Sequence, residues 1–165
     1  GAKRVGMVYS PGEVNSVVVA KELKTGLAKR GMSLVEAPAP RTVDVAPAAK
    51  NLIGKVDVLY TSTDNNVVST YESLAAVAQQ GKLPLVASDT DSVKRGAIAA
   101  LGQNYYDIGR HTGKLVVRIL KGEKAGAIAP QVGDKLSLTL NPAAAQKQGV
   151  TLSPALLKEA SDTVK

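Results

Sequence analysis

The 165-residue sequence has no cysteine, no tryptophan and no phenylalanine, and His111 is its single histidine. Without thiols, disulfides and thiolate chemistry are excluded, while the compartment stays open. One imidazole and no cysteine leave too few ligands for a zinc centre. His111 falls between Arg110 and Thr112 inside a helical stretch, far in sequence from any acid-rich loop. A Ser/His/Asp arrangement is therefore not expected. Aromatic residues make up 3% of the chain, too few for the stacking platform that single-stranded nucleic acid requires. No apolar run approaches the roughly 20 residues of a membrane-crossing helix. The formal charge is +7, yet no block of five or more basic residues occurs. The lysines are spread along predicted helices and read as solvated faces, so no nucleic-acid partner is expected.

Hydrophobic residues form 44% of the chain, and its length suits one domain with a real core. The opening GAKRVGMVYS passes from two basic residues directly into a strand-like run, without an apolar leader core. A mature secreted protein looks the same, so the pattern assigns no compartment.

Periodicity predicts strands at Arg4–Ser10, Ser33–Ala37, Val56–Thr61, Leu83–Ser88, Ala97–Leu101 and Lys135–Leu140. Between them it predicts helices over Asn15–Arg30, Asp44–Ile53, Asn65–Gln80 and Tyr105–Leu120, with short ones after Asn141-Pro142 and from Pro154 to Ala160. The inner faces are read as Val19, Leu23 and Leu27; Val45, Ala48, Ala49 and Leu52; Val67, Tyr71, Leu74 and Ala78; and Ile108, Leu115 and Ile119. Near-continuous apolar strands alternating with helices predict an open doubly wound α/β domain, a parallel sheet between two helical layers.

Ligands of such sheets bind at the carboxyl ends of strands, beside the point where strand order reverses. Three loops fall there: YSPGEVNS after the first strand, TSTDNN after the third and SDTDS after the fourth. They gather Ser10, Glu13, Asn15, Ser16, Thr63, Asp64, Asn65, Asp89, Thr90 and Asp91. The first βα turn carries Gly12 alone, so neither a G-x-G-x-x-G nor a Walker-type phosphate loop is present. Asn15 or Ser16 at a helix start serves either as an N-cap or as part of a small-anion site. Asp64 precedes a helix and has capping as its plain reading. Asp89 is different, because Asp91 already stands two residues on to cap the next turn. A buried acid needs a cationic partner, and a ligand ammonium would supply it. An anion-holding helix end facing a cation-holding acid fits a zwitterion such as an α-amino acid. A magnesium site of Asp64, Asp89 and Asp91, as in receiver domains, is the metal-bearing alternative; no resident metal or cofactor is expected.

The runs RVGMVYSPGEVNS, VDVLYTSTDNNVVS, PLVASDTDSVKRGAIAALGQNYYDIGRHTGKLVVRILKGE and LSLTLNPAAAQKQGVTLSPALL resemble one family over nearly the whole chain. It is the substrate-binding component of bacterial ABC transporters with the type I periplasmic-binding-protein fold, in the branch that includes aromatic amino-acid binders. The resemblance implies one lobe of a two-lobe protein, about half its length. Residues 1–102 would be the C-terminal-type ligand-binding lobe, 103–134 a crossover helix and linker, and 135–165 a returning strand with terminal helices. It implies that Ser10, Glu13, Asn15 and Ser16 meet the ligand's carboxylate end, with Thr63, Asp64 and Asn65 following the third strand. Asp89 would face the ammonium, and Gln103 would stand at the hinge crossing. It also implies an amino-acid ligand, an ABC permease as partner, no catalysis, and a periplasmic or lipoprotein-anchored location. The helix at 105–120 would be covered by this lobe, by a first lobe, or by a second copy through swapping. Two rivals share the fold class: the effector-sensing core of a transcription repressor, and a flavodoxin-like receiver or enzyme domain.

Overall fold

The computed structural model describes residues 1–133 and 135–164; Asp134, the end of the expected crossover linker, lies outside them. Val5, Gly6, Met7 and Val8 are buried in succession along β1 (Arg4–Tyr9), as a strand covered on both faces requires. α1 (Val14–Ala28) and β2 (Ser33–Pro38) follow. A 3-10 turn at Thr42–Asp44 leads into α2 (Val45–Lys50), which buries Val45 and Ala49 while Leu52 seals the turn beyond it. Then come β3 (Val58–Thr61), α3 (Asn65–Ser69), α4 (Tyr71–Gln80) and β4 (Leu85–Ala87). α5 (Asp91–Lys94), β5 (Ala99–Gln103), α6 (Tyr105–Leu120), a 3-10 turn at Ala125–Ala127 and β6 (Leu136–Leu140) come next. α7 (Pro142–Lys147), α8 (Pro154–Glu159) and β7 (Asp162–Thr163) complete the order.

The seven strands lie in the order β2-β1-β3-β4-β5-β6-β7. Strand order reverses between β1 and β3, whose carboxyl ends are therefore the expected ligand edge. Neighbours run parallel except β5 and β6, which pair antiparallel from Ala99 opposite Leu140 to Gln103 opposite Leu136. The expected parallel sheet is found, with this one pair as the exception, where the chain comes back along β5 instead of crossing over in the same sense. The return is fixed by buried amides. Gln148 accepts from the Leu85 N–H at 2.7 Å and donates to the Gly96 carbonyl at 2.8 Å. Asn141 donates to the Val93 carbonyl at 2.9 Å and caps α7 through the Ala144 N–H at 2.8 Å.

The core is built from Val45, Leu59, Val67, Tyr71, Leu74 and Leu85, each at most 1% exposed. Val67, Tyr71, Leu74 and Ala78 are all buried in the register the sequence predicted, but not on one helix. The predicted helix 65–80 breaks at Thr70, where φ −125° and ψ 29° leave the helical region. Ser69 and Thr70 both bond back to carbonyls one turn earlier, at 2.6 and 3.0 Å, which competes with the helical ladder. Boundaries move elsewhere too: β3 starts at Val58, β4 narrows to Leu85–Ala87, and β5 runs Ala99–Gln103.

Gly102 sits on β5 where a Cβ would lie 2.5 Å from the Ser88 carbonyl oxygen. Gly102→Ala must push two backbones apart, so a loss of about 2 kcal/mol in urea unfolding is expected. Unchanged stability would mean that this close approach is readily relieved.

α6 contradicts its expected inner face. None of its residues is buried; Ile108 and Leu115 are half-covered, and Ile119 is 42% exposed. Asn104 caps its start by accepting from the Tyr106 and Asp107 N–H groups. A 16-residue helix is marginal in water without packing, and the apolar stripe of α6 is largely exposed. Among the described residues no helix is long and apolar enough to cross a membrane.

Candidate functional site

At the switch point the chain leaves β1 at Ser10 and β3 at Ser62, and both turns close on Asp64. Asp64 is fully buried. One carboxylate oxygen accepts from the Ser10 N–H and the Ser16 hydroxyl, each at 2.7 Å. The other accepts from the Val67 N–H at 3.1 Å and so caps α3. The Ser10 N–H, the Ser16 hydroxyl and the Asp64 carboxylate are thus spent on one another behind the surface. They hold the rim in place and leave its outward face to their neighbours.

That face begins with Glu13, the N-cap residue of α1, whose carboxylate turns away from its own helix. It accepts from the Asn65 N–H at 2.8 Å and the Asn65 side chain at 3.2 Å, with the Asn15 amide at 3.5 Å. The tips of the first and third loops are stapled together. α1 consequently starts without a side-chain cap.

Asp89 ends the turn after β4 and is 9% exposed. Its two oxygens accept from the Ser92 N–H at 3.0 Å and the Ser92 hydroxyl at 2.7 Å. An open cleft of about 370 Å³ joins Asp89 to Thr63, Asn65, Asp91, Arg95 and Tyr105. Of the residues gathered from sequence, Thr63, Asn65, Asp89 and Asp91 share this cleft, and Glu13 and Asn15 adjoin it through Asn65. Gln103 lies elsewhere: it donates to the Gly133 carbonyl at 3.1 Å and lines a separate hollow with His111 and Lys135.

Arg95 and Tyr105 were not picked out from sequence. Arg95 binds Glu72 through two bonds of 2.6 and 2.7 Å and lies 5.5 Å over the Tyr71 ring. The guanidinium holds the Glu72 carboxyl down at about 2. Burial pushes the Tyr71 phenol up to about 12. The Tyr105 phenol is also raised, first by burial and then by the charges of Asp89 and Asp91. The sequence signal for Arg95 was its place four residues after Asp91, where α5 brings it back to the acid-bearing turn. Ser62, also passed over, is buried with a hydroxyl that has no hydrogen-bond partner among the described residues.

The magnesium alternative finds no support in this geometry. Among the described residues no group of three or more metal-ligating side chains gathers, and both oxygens of Asp64 already hold protein donors.

The class defined by the fold is a mostly parallel seven-stranded α/β domain, with an acid-bearing cleft among its strand-end loops. Residues 1–164 match the family described as ABC transporter substrate binding protein, and the chain belongs to that family. A tyrosine-binding protein of Clostridioides difficile is 34% identical over 140 residues, covering 85% of this chain and 41% of its own length. Among solved structures, a conserved domain protein of Vibrio cholerae is 40% identical with a TM-score of 0.93. An ABC domain of Streptococcus pneumoniae in complex with L-Trp is 29% identical with a TM-score of 0.90. Each covers 99% of this chain, which spans 55% of theirs.

Proposed function

We propose that this chain is the second lobe of a two-lobe solute-binding protein that captures an α-amino acid outside the cytoplasm and passes it to an ABC permease. The observation that carries this reading is Asp89. It is a nearly buried carboxylate held only by Ser92, with no ion pair to a lysine or arginine among the described residues. The Arg95 guanidinium in the same cleft is paired with Glu72, which leaves the Asp89 charge open to a ligand cation. The ligand ammonium takes that place. The ligand carboxylate lies toward the first turn of α1, which has no side-chain cap and whose dipole favours an anion, while the Asn15 amide beside it is turned to Glu13. Membership of a substrate-binding family supports a binding role for the cleft over a catalytic one.

A first lobe covers the apolar stripe of α6 and closes over the cleft by hinge motion. Amino-acid ligands of the relatives, tyrosine in one and L-Trp in another, support the ligand class. Neither the repressor reading nor the receiver reading gains a specific observation from the site.

Calorimetric titration of the two-lobe protein with a panel of amino acids tests the reading. Saturable heat with at least one α-amino acid, lost on amidation of its carboxylate or acetylation of its amine, is the expected result. Absence of heat across the panel would overturn it.

A further inference from the structure

β6 carries Ser137 and Thr139 two residues apart, so both hydroxyls belong to one face of the sheet. Their neighbours across β5 on that face are Gly102 and Ala100. Neither has a side chain that can bond a hydroxyl. Thr139 is 3% exposed, yet its hydroxyl has no hydrogen-bond partner among the described residues. It lines instead a cleft of about 270 Å³ between β6, β7, α5 and the start of α6. A hydroxyl so far from bulk water needs a partner, and the cleft is where one can enter.

The remaining polar groups of this cleft offer both donors and acceptors. Ser161 is fixed to β6: its N–H donates to the Leu138 carbonyl at 2.8 Å, and its hydroxyl oxygen accepts from the Leu138 N–H at 3.2 Å. The hydroxyl proton stays free to donate. One oxygen of Asp162 accepts from the Thr163 N–H at 2.8 Å, which leaves the other open. α5 contributes Asp91 and, one turn on, Lys94, whose ammonium has no ion pair among the described residues. Asp91 and Tyr105 also line the cleft of Asp89, so the two clefts share a wall.

We infer that this cleft is a second ligand site, for a small uncharged molecule with adjacent hydroxyls, a polyol or a monosaccharide. An anion would meet Asp91 and Asp162. A metal cation would meet Lys94 and only two carboxylates, short of the oxygen set that calcium or magnesium takes from a protein. An apolar guest would leave Thr139 without a partner. A hydroxyl both donates and accepts at one atom. A guest bearing several of them can therefore answer Thr139, Ser161, Asp162 and Lys94 together. The inference stands independently of the amino-acid reading above.

The test is calorimetry of the two-lobe protein with glycerol and myo-inositol for the polyols, and D-ribose and D-glucose for the monosaccharides. Calcium and inorganic phosphate are the ionic probes. Saturable heat with at least one hydroxylated probe is expected, and the probe that saturates tells the two sources apart. Affinity is expected to fall about tenfold in Thr139→Val, which trades the hydroxyl for a methyl, and about threefold in Ser137→Ala. Melting curves control for folding, and Ser137→Ala carries the test if Thr139→Val does not fold. No heat with any hydroxylated probe overturns the inference, as does binding that both variants leave unchanged. Calcium or phosphate binding weakened by Thr139→Val would make this an ion site and also overturn it. A saturating α-amino acid should leave the hydroxylated probe bound; competition would put that probe in the cleft of Asp89 and defeat the second site. A protein that binds the probe but no amino acid upholds this inference and defeats the earlier reading.

Discussion

Replacing Asp64 with alanine is expected to remove about 4 kcal/mol of folding stability, measured by urea unfolding. Three donors converge on this carboxylate: the Ser10 N–H, the Ser16 hydroxyl and the Val67 N–H. Ser16 and Val67 are both fully buried, so water cannot easily replace the lost acceptor. Each orphaned buried donor costs about 1–3 kcal/mol, reduced where a side chain or backbone can relax. Asp64→Asn keeps one oxygen but turns an amide N–H₂ toward a donor, and a smaller loss of about 2 kcal/mol is expected. A loss below about 1 kcal/mol for the alanine variant would show that the two turns are held by other contacts.

The second large effect concerns binding. Asp89→Asn is expected to weaken amino-acid affinity about 100-fold in the two-lobe protein, with little change in melting temperature. The amide retains an oxygen for the Ser92 N–H, and the Ser92 hydroxyl can accept where it formerly donated, so the local turn survives. What disappears is the negative charge opposite the ligand ammonium. In a partly dry cleft that charge outweighs any surface ion pair. An affinity change under threefold would place the ammonium elsewhere.

Much of the architecture was legible because periodicity and punctuation agreed. The apolar run RVGMVY, the turn at Pro11-Gly12 and the one-turn spacing of Val67, Tyr71, Leu74 and Ala78 each point to one local structure, and each residue is found where that pattern puts it. The break at Thr70 was hidden because the apolar register continues unbroken across it. Only the back-bonding of Ser69 and Thr70, a feature of side-chain geometry, ends the first segment. The antiparallel return of β6 was hidden for another reason: Leu136–Leu140 reads as apolar strand in either direction, and its sense depends on where Gln148 and Asn141 find partners far away in sequence.

The site divides in the same way. Position at strand ends was readable, so Thr63, Asn65 and Asp89 could be named from topology alone. Capping separated Asp64 from Asp89 in the sequence, with Asp64 assigned to its helix and Asp91 to the next turn. Asp64 does cap α3, but in the second turn Asp89, not Asp91, accepts from the Ser92 N–H. Three convergent donors set Asp64 apart from Asp89. Arg95 and Tyr105 escaped because one sits in a basic turn and the other opens a helix, contexts in which exposed residues are ordinary.

The bridge from Glu13 to Asn65 has one further consequence. Because it fastens two loop tips across 52 positions of sequence, it restrains Asn65, one wall of the cleft. A wall already ordered surrenders little conformational freedom when a guest arrives.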